Sequence, residues 1–368
     1  MKTLLKAKAM DESQPLYDQD IHSIVLWMPN WIGDVVLTLP SVQSLRRAYP
    51  KARITAVVKP PSNELLLGHP AITTVLSLPS DSGSGFWKNV EFARRLKKYR
   101  YDVGIVFPNS FSSAFLLSLT AAKYRLGYNT DGRGILLTHP IITTADLKKS
   151  QYRVDYYFKI FSPLRIDNPD AFFSPVTQQE GDLSVRQALL NMGLEDDEEF
   201  ITLHPGTSKV ERSWHVERFG VLCQKIIKSD EKKLVLLGTK SEENILNRIQ
   251  GYCPPGKVIV TPPMNLRVLA GVLKKSRIFI GNDSGMMHLA AMVGTPIVGI
   301  FGPGNSKTTG PYMDAKYHEI LTKNYSCSPC RQDFFKECKP SPHNKPYCLE
   351  DITVKNVHDA LHRLLKRI

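Results

Sequence analysis

The sequence predicts an α/β protein of two Rossmann-like, doubly wound domains facing each other across a cleft. Three observations predict it. The 368 residues are too many for one typical core and fit two domains of ordinary size. Short apolar runs alternate with helix-period stretches from Ser23 onward, the pattern of parallel strands joined by crossover helices. Strands also run into glycine-containing turns at helix starts, where an open α/β sheet places its ligands.

Taken in order, residues 1–20 are polar and aperiodic and are expected to form a mobile tail. The first domain spans 21–175. Its strands are expected at 23–28, 52–58, 75–78, 101–107 and 124–128. Helices are expected at 35–49 (Pro40 near its start), 62–67, 86–98, 110–122 and 154–162. The helix at 86–98 is amphipathic with a basic outer face, and the Ser/Gly-rich stretch 80–85 is a flexible loop. Periodicity is lost over 164–179, which marks the domain link. The second domain, 176–350, repeats the theme. Its helices fall at 183–192, 216–229, 242–253 and 265–274, and its strands at 200–204, 233–238 and 258–261. A compact strand–helix–strand window fills 278–303. Residues 304–350 read as irregular, and 351–368 as a final amphipathic helix.

Composition, 42% hydrophobic and 23% charged, is that of a globular protein. No apolar run approaches the roughly 18 residues of a membrane span. The first ten residues lack the apolar core of a signal peptide, so the chain is expected in the cytoplasm. The net charge of +13 favours anionic partners: nucleic acid, an anionic membrane surface or phosphorylated substrates. Without a zinc finger, an RNP aromatic motif or a long basic arm, nucleic acid is not expected. Cys223 and Cys253 sit apart and read as buried free thiols. Cys327, Cys330, Cys338 and Cys348 crowd into one segment. Free thiols, disulfides and a structural zinc site are all open there.

Four constellations carry chemistry. In the window, Gly281-Asn282-Asp283-Ser284-Gly285 precedes a helix whose free N–H groups and dipole suit a phosphate. Asp283 and Ser284 can instead simply cap that helix, and His288 can be a satisfied core histidine. Asn30-Trp31-Ile32-Gly33-Asp34 places a carboxylate at the mouth of the first domain, as a general base or a helix cap. His204-Pro205-Gly206-Thr207-Ser208, followed by Lys209, Arg212 and Trp214, makes a phosphate cradle or a polar surface loop. Glu242 follows a strand end, as a ribose-binding acid or a first-turn residue favoured by the helix dipole. Neither a Gly-x-Gly-x-x-Gly fingerprint nor a P-loop occurs, which sets aside NAD enzymes and P-loop NTPases.

Together and in this order, the motifs resemble those of the ADP-heptose:lipopolysaccharide heptosyltransferases, glycosyltransferase family 9. The resemblance rests on Gly33-Asp34 with Thr38-Leu39-Pro40, on His204-Pro205-Gly206 with Trp214, and on Gly281–Gly285 with His288-Leu289-Ala290. It continues through Gly294-Thr295-Pro296 and Phe301-Gly302-Pro303. It implies inverting glycosyl transfer in a GT-B arrangement, with ADP-heptose as donor substrate and a lipopolysaccharide inner-core precursor as acceptor. No cofactor or metal is implied, and the enzyme is expected to sit peripherally on the anionic inner-membrane surface. By this resemblance Asp34 is the catalytic base, and Thr207 and Ser208 contact the donor diphosphate. Arg212 stands where the family often has a phosphate-binding lysine. Glu242 binds the ribose and Met264 packs on the adenine, while Asp283, Ser284, Gly285 and His288 meet the donor phosphates and sugar. The cysteine-rich segment is similar to one in heptosyltransferase II-like members. Lys59, Arg125 and Arg133 are candidate acceptor contacts, against the plainer expectation of exposed, solvated cations. The alternatives are a relative using another nucleotide sugar or acceptor, a nucleotide-sugar epimerase of similar architecture, and a catalytically inactive nucleotide-binding protein.

Overall fold

Two six-stranded sheets, parallel in every strand pair, form the frame of the molecule. The computed structural model describes residues 15–79, 85–166, 183–195, 197–323, 325–327, 330, 332–336 and 338–368. The expected tail up to residue 14, most of the 80–85 loop and most of the domain link, with the boundary at 175/176, lie outside the described residues.

The first sheet is built from β1 (Ser23–Trp27), β2 (Arg53–Val58), β3 (Thr74–Ser77), β4 (Val103–Val106), β5 (Tyr124–Tyr128) and β6 (His139–Ile141). Its helices are α1 (Ile32–Ala48), α2 (Asn63–Leu66), α3 (Gly85–Arg95), α4 (Phe111–Leu119), α5 (Ala145–Ser150) and α6 (Arg153–Phe158). The second sheet comprises β7 (Phe200–His204), β8 (Lys233–Leu236), β9 (Val258–Val260), β10 (Ile278–Asn282), β11 (Ile297–Ile300) and β12 (His318–Leu321). Around it lie α7 (Leu183–Asn191), α8 (Val216–Asp230), α9 (Glu243–Gln250), α10 (Leu266–Lys275), α11 (Gly285–Met292), α12 (Ser306–Thr309), α13 (Tyr347–Glu350) and α14 (Val354–Arg367).

The strand orders are β3-β2-β1-β4-β5-β6 and β12-β11-β10-β7-β8-β9. Counted from each half's own first strand, both are the order 3-2-1-4-5-6 of a dinucleotide-binding fold, the second written from its other edge. Each half therefore has a switch point, between β1 and β4 in one and between β7 and β10 in the other. Helices leave in opposite directions there and open a crevice at the strands' carboxyl ends. The central strands are buried along their whole length, as sheets covered on both faces require. This is why β1, β7 and β10 read in the sequence as unbroken apolar runs.

The N-terminus of α1 meets that of α11, and one apolar cluster runs from Val35, Leu37 and Leu39 to Met287, Leu289 and Ala290, joining the halves. Full burial of each such large side chain contributes about 1.5–3 kcal/mol. Two polar contacts add to the seam: Glu64 Oε2 accepts from the N–H of Leu266 at 2.6 Å, and Tyr152 Oη donates to the carbonyl of Gly310 at 2.9 Å. The last helix belongs to the second half, its Val357, Ala360, Leu361 and Leu364 buried in that core.

Several sequence expectations need correction. Helix α1 starts at Ile32, so Asp34 lies inside the first turn and Pro40 near the middle. Residues 304–350 include the edge strand β12 and two short helices. Strands β6 and β12 are edge strands of three and four residues, too short for a periodic signal, and β6 contains Pro140. Cys223 and Cys253 are free thiols, as expected, and are hydrogen-bonded to each other, but Cys253 is only half-buried.

Candidate active site

Both switch points open toward the seam between the halves. After β1 the chain turns at residues 28–31 and enters α1, which carries Asp34 in its first turn. Tyr157, delivered by α6, donates from Oη to Asp34 Oδ1 at 2.7 Å. Burial and the neighbouring Asp34 charge push the Tyr157 phenol well above its usual range, so it remains a donor at any physiological pH. The Asp34 side chain makes no cap bond, since the α1 N-cap residue is Trp31.

Across the seam, β10 ends in Asn282 and α11 begins at Gly285. The two helix starts nearly touch: a Cβ built on Gly285 would lie 3.5 Å from the backbone nitrogen of Gly33. On Gly33 itself, a Cβ would sit 2.7 Å from Cδ2 of His288. Only glycine allows that approach.

The loop after β7 is fixed by Asn282. Its Oδ1 accepts from the N–H of Trp214 at 3.0 Å, and its Nδ2 donates to the carbonyl of Pro205 at 2.7 Å. Trp214 is fully buried and donates from its indole to the carbonyl of Ile352 at 2.8 Å. Arg212, on the turn between, gives Nη2 to Asp283 Oδ2 at 2.6 Å. Burial raises the Asp283 carboxyl above its usual range, and the Arg212 charge and hydrogen bond oppose that shift. Asp283 thus partners Arg212, and the α11 N-cap, Ser284, makes no side-chain cap bond. Ser284 Oγ lies 3.3 Å from His204 Nδ1 instead. Burial drives both His204 and His288 down to about 4, with Glu242 opposing the shift at His204 and Asp34 opposing it at His288. Both rings are neutral at pH 7.

Two buried polar atoms at this corner, Arg212 Nε and His288 Nδ1, have no hydrogen-bond partner among the described residues. Such orphans are rare in folded proteins and mark a place where a ligand's acceptor or donor fits. Glu242 closes the cradle from below. Its Oε2 accepts from both the N–H and the hydroxyl of Thr239, each at 2.8 Å, and its Oε1 packs so close to Gly206 that a Cβ there would overlap it. Thr207 Oγ1 donates to the carbonyl of Lys209 at 2.6 Å, Ser208 is exposed, and Met264 is half-buried in the turn before α10.

Two predicted acceptor contacts are corrected. Arg133 has 0% of its surface exposed. Its guanidinium bonds the carbonyls of Tyr128, at 2.7 Å, and of Pro108, tying down the loop after β4. Arg125 lies near the start of β5, away from the carboxyl ends, and gives Nε to Leu136 and Nη1 to Ala122 carbonyls at 2.8 Å each. Both cations serve the backbone. Lys59, at the carboxyl end of β2, stays on the ligand edge of the sheet. Tyr157 and Asn282 were not identified as site residues from the sequence. A tyrosine 123 positions from its partner leaves no local signal, whereas Asn282, at the end of an apolar run, could have been flagged as a buried amide.

A family model described as Glycosyltransferase family 9 (heptosyltransferase) matches residues 89–339, more than half of the chain. The chain belongs to this family. Among curated relatives of this glycosyltransferase, lipooligosaccharide heptosyltransferase 2 of Haemophilus ducreyi is 25% identical over 305 residues, covering 78% of this chain and 85% of the relative. Lipopolysaccharide heptosyltransferase 2 of Salmonella typhimurium is 24% identical over 352 residues, covering 92% and 97%. A family 9 glycosyl transferase from Veillonella parvula superposes with a TM-score of 0.80 at 22% identity, covering 95% and 99%. ADP-heptose lps heptosyltransferase II of E. coli gives 0.76 at 20%, covering 94% and 99%. E. coli heptosyltransferase WaaC, solved with ADP, gives 0.67 at 19%, covering 93% and 99%. These likenesses show the GT-B fold.

Proposed function

We propose that this glycosyltransferase moves a heptose from ADP-heptose to a lipopolysaccharide inner-core acceptor, with inversion at the anomeric carbon and without a metal ion in the reaction. The observation that carries the reading is the corner where Ile32-Gly33, just before Asp34, meet Gly285 and His288 of the other half, with the orphaned Arg212 Nε and His288 Nδ1 beside it. Inverting transfer needs a base on the acceptor side and stabilisation of the departing nucleotide opposite. Asp34, oriented by Tyr157, takes the proton from the acceptor hydroxyl. That oxygen attacks the anomeric carbon, the bond to the diphosphate breaks, and ADP leaves with both electrons of that bond. Arg212, the free N–H groups of the α11 start, Thr207 and Ser208 receive the negative charge. Asp283 holds Arg212 in place, His288 meets the donor sugar, Glu242 Oε1 the ribose, and Met264 the adenine. Lys59 attracts the acidic acceptor. Closure of the seam keeps out water that would hydrolyse the donor.

The names of the relatives support this donor and acceptor, and WaaC was solved with ADP. A solved protein described as a putative UDP-N-acetylglucosamine 2-epimerase shares the fold at a TM-score of 0.51, so the fold does not discriminate. The discriminating property is the need for an acceptor. No described helix is long and apolar enough to cross a membrane. For access to a lipid-linked acceptor we infer peripheral docking on the anionic inner-membrane face through α3 and its neighbours.

The test is turnover of ADP-heptose with heptose-deficient lipopolysaccharide, read by ADP release and by the anomeric configuration of the product. ADP release that depends on acceptor is expected, with an Asp34→Asn variant that still binds ADP but loses turnover by about a hundredfold or more. Conversion of UDP-N-acetylglucosamine without any acceptor would overturn the reading in favour of an epimerase.

A further inference from the structure

The four clustered cysteines share one cavity. Cys327, Cys330, Cys338 and Cys348 line it together with Pro303, Asp333, Phe334 and Pro346, and none is in a disulfide. Cys327 and Cys330 have the Cys-x-x-Cys spacing of a metal knuckle. The backbone N–H of Gln332 donates to Cys330 Sγ at 3.2 Å, a bond that stabilises a thiolate. From these observations we propose that the four cysteines hold one thiophilic metal ion, zinc or iron, as a structural brace behind the loop that carries Arg212.

The chemistry of the donor set points the same way. Four sulfurs with no imidazole among them select zinc or iron over hard cations such as Mg²⁺. The sulfurs line an open cup. Among the described residues, the triads whose ligand atoms all lie within 4.8 Å are His215–His343–Glu350 and Asp230–His358–His362, so no three of the cysteine sulfurs stand that close here, and binding of the proposed ion draws them inward. The segment also needs a staple. Among its described residues α13 is the one helix, and small irregular units commonly depend on a metal or disulfides.

Its position gives the brace a purpose. Lys345 Nζ donates to the carbonyl of Val210 at 2.7 Å, and the Lys209 ammonium sits 5.5 Å over the Phe334 ring. Glu350 pairs with Arg218 Nη2 at 2.5 Å. The cysteine segment thus grips both flanks of the turn bearing Arg212, without touching the proposed reacting atoms.

The experiment is elemental analysis of the untagged full-length protein by plasma mass spectrometry. One equivalent of zinc or iron per chain is expected, the measurement itself telling which. Loss of that metal in Cys330→Ser and in Cys348→Ser, with retention in Cys223→Ser, is expected. Cobalt-substituted wild-type protein should show thiolate-to-metal charge transfer. After chelation, amides of residues 209–214 should exchange hydrogen faster. Metal-free wild-type protein that refuses cobalt, or an intact mass lighter by four hydrogens from two disulfides, would overturn the proposal. Metal that persists in both cysteine variants but disappears in His343→Ala would also overturn it, in favour of the histidine triad. Should either variant fail to fold, the cobalt spectrum and intact mass of the wild type decide alone.

Discussion

Asp34 is useful only while its carboxylate keeps one orientation, and Tyr157 is the group that keeps it. The phenol is buried and its pKa is raised further, so it stays a donor and engages Oδ1, and under the proposed role the other oxygen is the one left for the acceptor. A Tyr157→Phe enzyme should therefore lose kcat by about ten- to a hundredfold while the KM for the donor stays nearly constant, because misplacement of a reacting group acts on the chemical step. Steady-state kinetics with the donor varied decides this. A variant that changes only KM would show that Tyr157 serves binding instead. At this scale the sequence was half legible. Asp34 stands in a recognisable turn, but its orienting partner lies across the fold. The two arginines were misread for a related reason. A guanidinium can satisfy several backbone carbonyls when buried, and only the fold shows whether it does.

Among the elements, α3 has the properties of a membrane-interface helix. Phe86 stacks on Phe115 of α4 with ring centroids 6.3 Å apart, yet it remains exposed, and Trp87 is 73% exposed. On neighbouring elements Phe111 is exposed and Ile135 is 85% exposed. Exposed Lys88, Arg94, Lys97 and Lys98 lie beside them. Aromatic residues with flanking cations suit the headgroup region, where each cation near an anionic surface contributes about 1 kcal/mol. Vesicles containing anionic lipid should retain the protein in sedimentation, and a Trp87→Ala, Lys97→Glu, Lys98→Glu variant should bind them at least tenfold more weakly with unchanged melting. Equal binding by the variant would exclude this face. The sequence showed α3 as an amphipathic helix with a basic face, since its period is strong. It missed the edge strands β6 and β12, whose few residues are held by a neighbour on one side only.

For the whole molecule, acid is the informative perturbant. His69, His204 and His288 are each pushed down to about 4 by burial. Free histidine titrates near 6.5, so the unfolded chain binds more protons between these values. The stability these neutral rings confer is complete above about pH 6.5 and is lost progressively as pH falls toward 4, at up to roughly 1.4 kcal/mol per residue per pH unit. Melting temperature should drop steeply over that window, and a His69→Gln variant should shallow the slope without affecting turnover. A flat profile from 6.5 to 4.5 would contradict the burial of these rings. Two doubly wound halves were legible from alternation alone. Their identical strand order was not, because periodicity identifies strands but not their neighbours.

The contact between Gly33 and the ring of His288 has a mechanical meaning. The two halves stand so near that a single hydrogen atom meets an imidazole edge, so the smallest side chain available sets how closely they can approach. Asp34 is the very next residue, so in its proposed role as base its distance from the donor-binding half is fixed by this same stop.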